Sequence, residues 1–100
     1  MLALVLAEFL DHRGEFGILA TVLQLVELAY DPATGTTPEA ALAEHAGGDI
    51  TAVVIPHPNF FGCFEAVDQL TDWAHANGAL AVALVNPVAL ALTRAPGEWG

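Results

Sequence analysis

The stretches TAVVI (residues 51–55) and ALAVALV (residues 79–85) decide the fold, together with the 23 residues that separate them. Both stretches are continuously apolar, which is typical of strands that are buried on both faces of a parallel sheet. Between them, one stripe at helical spacing is formed by Phe64, Val67, Leu70, Thr71 and Ala74, and the opposite, polar stripe by Glu65, Asp68, Gln69, Asp72 and His75. Gly78 is placed to end this helix. The pattern predicts a strand–helix–strand unit with a right-handed crossover.

The flanking segments predict further elements. Residues 1–25 are apolar without strand alternation, which predicts one or two helices, and LVELAYD (residues 25–31) predicts a short strand. In TTPEAALAEHAGG (residues 36–48), Thr36 and Glu39 fit a capping box and Gly47 or Gly48 fits the end of a helix of about ten residues. Three strands leave two open edges, so we expect the chain to be part of a larger sheet.

Composition excludes several functions. The 100 residues suit one small domain, and a formal charge of −10 disfavours nucleic acid and anionic membranes as partners. The only basic residues besides histidine are Arg13 and Arg94; the absence of lysine excludes chemistry that needs a lysine amine in this chain. Cys63 is the only cysteine, so it cannot form an intrachain disulfide, and we expect a buried thiol and a cytoplasmic location. The apolar start is too short to span a bilayer and lacks the basic region of a signal peptide.

Candidate functional residues lie where ligands bind in open parallel sheets, beyond the carboxyl ends of the strands. The first segment there is PHPNFFG (residues 56–62), in which His57 could act as an acid or base and Phe60 and Phe61 could flank a planar ligand. The alternative is a tight connection, in which Asn59 bonds to nearby backbone and the phenylalanines plug the core.

The second segment is NPVAL (residues 86–90), which should lie beside the first if the two strands are adjacent. Asn86 is the only strongly polar side chain at the end of its strand, but an amide cannot supply the charge that pairs with a charged ring nitrogen. The alternative is a turn residue before Pro87. The four histidines lack ligand spacing, so no metal site is predicted, and Trp73 and Trp99 are interpreted as packing residues.

Three long stretches resemble one known family: ELAYDPATGTTPEAAL, ITAVVIPHPNFFGCFEAVDQLTDWAHANGAL and VNPVALALTRAPGEWG. In that order and spacing they resemble the first subunit, or N-terminal half, of the P-protein of the glycine cleavage system. The resemblance covers residues 26–100, whereas residues 1–25 match poorly. It implies part of the large domain of a fold-type I pyridoxal-phosphate (PLP) enzyme, a three-layer α/β/α arrangement around a mostly parallel sheet. His57 and Arg94 depart from the residues expected at their positions.

The resemblance also implies a division of labour. The complete enzyme decarboxylates glycine and passes the aminomethyl group to the lipoyl H-protein, and a lysine of the sister subunit holds PLP. This chain would be a fragment of the subunit that binds no cofactor, with a structural and interface role and no catalytic residue. The expected crevice or interface residues are His57, Asn59, Phe60, Phe61, Gly62 and Asn86. Two alternatives are a small acidic interaction module that has kept this scaffold and a fragment of an aminotransferase-like protein.

Overall fold

The computed structural model describes residues 5–10 and 22–100, which form one mixed sheet with helices. The elements in chain order are β1 (Val5–Leu10), β2 (Val22–Glu27), α1 (Glu39–Ala43), β3 (Ile50–His57), α2 (Val67–Ala76) and β4 (Leu80–Val85). Two 3-10 turns follow, at Ala89–Ala91 and Pro96–Glu98. The strand order is β2-β1-β3-β4; β3 and β4 are parallel, whereas β1 is antiparallel to both of its neighbours.

The predicted strand–helix–strand unit is confirmed. β3 and β4 pair in parallel from Ala52 opposite Leu80 to His57 opposite Val85, and α2 connects them. The buried side of α2 consists of Val67, Leu70, Thr71 and Ala74, as the helical stripe predicted. The assignment of Phe64 to the same stripe is wrong, because Phe64 precedes α2 and is 49% exposed. Val67, Leu70 and Ala74 share one buried cluster with Val53 and Ile55 of β3, and burying each large aliphatic side chain contributes about 1.5–3 kcal/mol. Gly78, with a φ of 70°, adopts the left-handed conformation that follows the helix end.

The helices predicted for residues 1–25 are wrong where the structure describes them. Residues 5–10 are β1, and the strand predicted at residues 25–31 is β2, which begins and ends earlier. Residues 1–4 and 11–21 lie outside the described residues. The pairing of β1 with both β2 and β3 gives its backbone two hydrogen-bonding neighbours, and this tertiary pairing overrides a side-chain pattern without alternation.

The first helix is shorter than predicted and lacks the predicted capping box. α1 has five residues, and Pro38 precedes it without a side-chain cap. Thr36 belongs instead to the preceding turn, where its carbonyl accepts a hydrogen bond from Asp31 N at 2.8 Å and its hydroxyl pairs with that of Thr34. The helix therefore begins three residues after the residue that the motif assigned to its cap.

The two faces of the sheet differ. On the face that α2 covers, Ala81, Ala83 and Val85 are half-buried. On the opposite face Leu80 is 68% exposed, and Val82 and Leu84 are exposed as well, so the prediction that β4 is buried on both faces is wrong. A continuous apolar run reports the preference of a strand for burial but not whether a second layer is present.

The α/β fold class is confirmed by this arrangement. The expected mostly parallel sheet is not what the described residues form, since two of their three strand pairings are antiparallel. Within the described residues, no helix is both long and apolar enough to cross a membrane.

Candidate functional site

The loop that follows β3 is closed by its own backbone. A cis peptide bond joins His57 to Pro58 at the strand end. Asn59 N donates to Cys63 O at 2.9 Å, and Gly62 N donates to Asn59 O at the same distance. Gly62 has a φ of 76°, a conformation that side chains disfavour. Residues 59–63 therefore form a tight turn at the carboxyl edge of the sheet.

The buried side chain of Asn59 uses its full hydrogen-bonding capacity. Its Oδ1 accepts bonds from Phe61 N at 3.0 Å and Cys63 N at 3.1 Å, which fix the turn. Its Nδ2 donates to Gly35 O at 2.6 Å and to Glu65 Oε1 at 3.0 Å. Two donors and two acceptor sites are all that a primary amide offers, so Asn59 has no free position for a ligand.

Glu65 is buried as well and joins the loop to the segment before α1. Its Oε2 accepts a bond from Thr37 N at 3.0 Å, and its Oε1 lies 3.4 Å from the Thr37 hydroxyl. The prediction that Glu65 lies on a solvated helix face is wrong, because this residue precedes α2 and turns inward. We call Gly35, Thr37, Asn59 and Glu65 the polar clasp. Sequence reasoning missed Gly35, Thr37 and Glu65, since no local pattern links residues 24–28 positions apart.

Cys63 and Gly35 meet where the clasp closes. Gly35 has a φ of 68°, and a Cβ atom added to it would lie 3.0 Å from Cys63 Sγ. Cys63 is half-buried rather than fully buried as expected. Glycine at position 35 therefore allows both the positive φ of the turn and the close approach of the Cys63 thiol.

Three aromatic rings project from this loop region into solvent. Phe60 is 76% exposed, and Tyr30 and Phe61 are also exposed. The Tyr30 and Phe61 ring centroids are 4.8 Å apart, and those of Phe60 and Phe61 are 5.6 Å apart in an edge-to-face arrangement. We call these three residues the aromatic cluster. The alternative that Phe60 and Phe61 plug the core is wrong, whereas the local bonding of Asn59 is confirmed.

His57 is buried at the end of β3, with 4% of its surface exposed. Its ring centroid lies 4.8 Å from that of Phe64 and 5.5 Å from that of Trp99, whose burial confirms its packing role. Burial lowers the pKa of His57 below the usual 6.5, and the nearby carboxylate of Glu65 partly opposes this shift. Nδ1 has no hydrogen-bond partner.

Asn86 follows β4 at the same sheet edge, but its surroundings are local. It is exposed, and its Oδ1 accepts a bond from Val88 N at 2.9 Å, so the turn alternative is confirmed. The Asn86 amide is neutral and already hydrogen-bonded, and the chain contains no lysine. These residues do not fit the chemistry of a PLP site in this chain. Among the described residues, no group of three or more histidine, cysteine or acidic side chains could hold a metal ion.

Comparisons with known proteins bear on this arrangement. A family model described as glycine cleavage system P-protein matches residues 17–100. The chain belongs to this family. The match begins before residue 26, where the motif-based resemblance starts, and it covers β2 and the whole β3–α2–β4 unit.

Relatives within the family are similar over most of this chain. It is 58% identical over 78 residues to "Probable glycine dehydrogenase (decarboxylating) subunit 1" of Thioalkalivibrio sulfidiphilus, a match that covers 78% of this chain and 17% of the relative. Proteins with the same name in Nitrosomonas europaea and Legionella pneumophila (strain Corby) are 53% and 49% identical over the same shares. No solved structure matched the chain. The chain thus spans about a sixth of the length of these family members.

Proposed function

We propose that this chain is a segment of the glycine dehydrogenase subunit that does not hold PLP, and that it acts as scaffold and subunit interface. The observation that carries the proposal concerns the loop after β3, whose polar side chains bond inside the protein and whose aromatic rings face solvent. Its polar groups, Asn59 and Glu65, bond to one another and to Gly35 and Thr37, while its rings face outward. Because the polar side chains of this loop are already hydrogen-bonded within the protein, the loop presents an apolar surface to a partner rather than reactive groups.

The aromatic cluster has the features of an interface centre. Aromatic side chains are enriched among the residues that carry most binding energy, because they bury a large area with few rotatable bonds. The polar clasp holds the turn that bears Phe60 and Phe61, so little conformational entropy is lost when a partner packs against them. Gly62 shapes the turn between the aromatic cluster and the polar clasp. The partner in this proposal is the sister subunit that carries the PLP lysine.

The proposal places residues 26–100 within a fold-type I large domain, with residues 1–25 as a separate N-terminal segment. The exposed apolar face of β4 supports a three-layer arrangement, since Leu80, Val82 and Leu84 need a second layer that the rest of a full-length subunit would supply. In the complete cytoplasmic enzyme, PLP on the sister subunit serves the decarboxylation of glycine, and the aminomethyl group passes to the lipoyl H-protein.

Co-expression with a lysine-bearing sister subunit tests the proposal. The chain alone is expected to show no visible cofactor absorbance and no exchange of the glycine carboxyl group with bicarbonate, and it is expected to co-purify with the sister subunit. Exchange activity in the chain alone would contradict a non-catalytic role. Recovery of the folded chain without the partner, in the presence of a competent sister subunit, would favour the small acidic interaction module instead.

A further inference from the structure

The part of the chain that bears the aromatic cluster is acidic. Residues 14–93, which contain all three rings, include neither lysine nor arginine, and the whole chain has twelve acids against two arginines. Among the described residues Arg94 is the only arginine, and its guanidinium pairs with Asp68 of α2. The described part of the chain therefore offers no unpaired arginine or lysine to the rings of the cluster.

Asp31 follows Tyr30 directly and is held in a tight turn. Its Oδ1 accepts a hydrogen bond from Ala33 N at 2.8 Å, and its carbonyl accepts one from Gly35 N at 2.7 Å. Its own backbone N–H donates to Thr36 O at 2.8 Å. The second carboxylate oxygen, Oδ2, forms no hydrogen bond with the described residues. A half-buried carboxylate beside an exposed ring thus keeps one acceptor position for a partner.

The turn that holds Asp31 and the loop that bears the phenylalanines are joined to each other. The buried Asn59 donates from Nδ2 to Gly35 O at 2.6 Å, which links the two segments through the polar clasp. The rings of Tyr30 and Phe61 then meet with their centroids 4.8 Å apart and their planes tilted by 49°. Two rings and one carboxylate are therefore brought together before a partner arrives, which lowers the entropy cost of binding.

Exposed rings beside a carboxylate are suited to a cationic side chain. The face of an aromatic ring carries partial negative charge and attracts arginine or lysine, arginine more often. The planar guanidinium of arginine stacks on such a ring while its N–H groups donate to a carboxylate, a combination that the compact ammonium group of lysine does not match. The exposed Tyr30 and Phe61 rings and the free oxygen of Asp31 supply both halves of this contact.

Other occupants of this surface fit less well. A second copy of the chain would bring two formal charges of −10 together, and like charges at an interface oppose association. A wholly apolar partner surface would remove water from the Asp31 carboxylate without giving it a counter-charge, which is unfavourable. A partner that presents a positive charge to the rings and to Asp31 avoids both costs.

From this arrangement we propose that the aromatic cluster and Asp31 receive an arginine side chain of the sister subunit. Its guanidinium stacks on the Tyr30 and Phe61 rings and donates to Asp31 Oδ2. This inference rests on the proposed interface function and adds the chemistry of the partner, which places a basic surface against an acidic one. The contact is then electrostatic as well as apolar, and this difference can be measured.

Titration calorimetry of the wild-type chain with the lysine-bearing sister subunit, at several salt concentrations, gives the first test. Between about 50 and about 500 mM sodium chloride the affinity is expected to fall at least about fivefold, because salt screens the attraction between charges. A purely apolar contact would keep its affinity over this range. Binding that is independent of salt would overturn the arginine contact and leave the proposed interface standing, whereas no binding at any salt concentration would overturn both.

Two matched acids locate the charge. Asp31→Asn removes the charge but keeps an oxygen that accepts the bond from Ala33 N, and it is expected to weaken binding about fivefold or more and to reduce the salt dependence. Asp49→Asn changes the net charge equally at an exposed acid directly before β3, at the end of that strand opposite the loop, and is expected to retain wild-type affinity. Equal affinities of the two variants would contradict the proposal.

A change of ring chemistry separates the cation contact from simple apolar packing. Tyr30→Phe keeps an aromatic face and is expected to bind within about twofold of the wild-type chain, whereas Tyr30→Leu keeps an apolar side chain without that face and is expected to bind about fivefold more weakly. Circular dichroism checks that each variant is folded. Should Tyr30→Leu fail to fold, the salt titration of the wild-type chain still decides. Equal affinity of folded Tyr30→Leu and Tyr30→Phe would overturn the stacked guanidinium.

Discussion

Two asparagines follow the two parallel strands, and their surroundings are opposite. Asn59 is buried and forms four hydrogen bonds, two of them to Gly35 and Glu65, whereas Asn86 is exposed and bonds to Val88 N. Both lie at the carboxyl edge of the sheet, where ligands commonly bind in parallel α/β folds. Their difference shows that position at this edge does not by itself make a site. The partners supplied by distant segments decide whether a polar side chain becomes part of the framework or of a simple turn.

The same comparison extends to the apolar neighbours of each asparagine. Phe60 and Phe61 are carried on a turn that the polar clasp fixes, whereas Val88 and Leu92 lie exposed in a segment with local hydrogen bonds. Exposed apolar side chains are ordinary on protein surfaces, so exposure alone does not distinguish the two segments. The long-range hydrogen bonds of Asn59 do distinguish them, and this is why we propose the loop after β3 as the interface.

Replacing Asn59 should give the largest loss of stability. Asn59→Ala removes four hydrogen bonds, and at about 1 kcal/mol each the expected decrease in the free energy of unfolding is about 4 kcal/mol. Buried donors and acceptors of the loop and of Glu65 are left without partners. Urea denaturation followed by circular dichroism measures the effect. A decrease below about 1 kcal/mol would show that the polar clasp contributes little.

A glycine of the clasp should give the next largest effect. Gly35→Ala forces a side chain into a positive φ and brings its Cβ within 3.0 Å of Cys63 Sγ, with an expected cost of about 1–3 kcal/mol. Gly97→Ala is the matched control, because position 97 has open space around its Cβ and no positive φ. Equal unfolding midpoints for the two variants would contradict the close packing of the clasp.

The exposed asparagine should give the smallest effect. Asn86→Ala removes one hydrogen bond in a solvated turn, and we expect a decrease of about 0.5–1 kcal/mol in the free energy of unfolding. The same denaturation experiment measures it beside Asn59→Ala. A loss as large as that of Asn59→Ala would mean that the two segments are equivalent after all.

Much of this fold could be predicted from the sequence because its signals are local. The stripe on α2, the glycine that follows it and the parallel strands β3 and β4 all appear in patterns within one element or its flanks. The local bonding of Asn59 and the turn at Asn86 follow from the same kind of information, since asparagine commonly bonds to backbone two residues away.

The remaining features depend on partners far away in the chain. Glu65 reads as one more acid of a polar helix face, and only its contact with Thr37, 28 residues earlier, makes it a buried group. β1 becomes a strand by pairing with β2 and β3, and β4 is exposed on one face because the described residues contribute no second layer. Sequence periodicity carries no information on such long-range pairings.

The most direct test of the proposed interface measures the affinity of this chain for the lysine-bearing sister subunit by titration calorimetry. The double variant Phe60→Ser/Phe61→Ser is compared with Leu25→Ser, which removes a similarly exposed apolar side chain from a position level with Ala52, away from the loop. If the aromatic cluster is an interface centre, the double variant should bind at least about 30-fold more weakly, which corresponds to a loss of about 2 kcal/mol or more, while Leu25→Ser retains wild-type affinity. Equal affinity of the double variant and the wild-type chain would contradict the account.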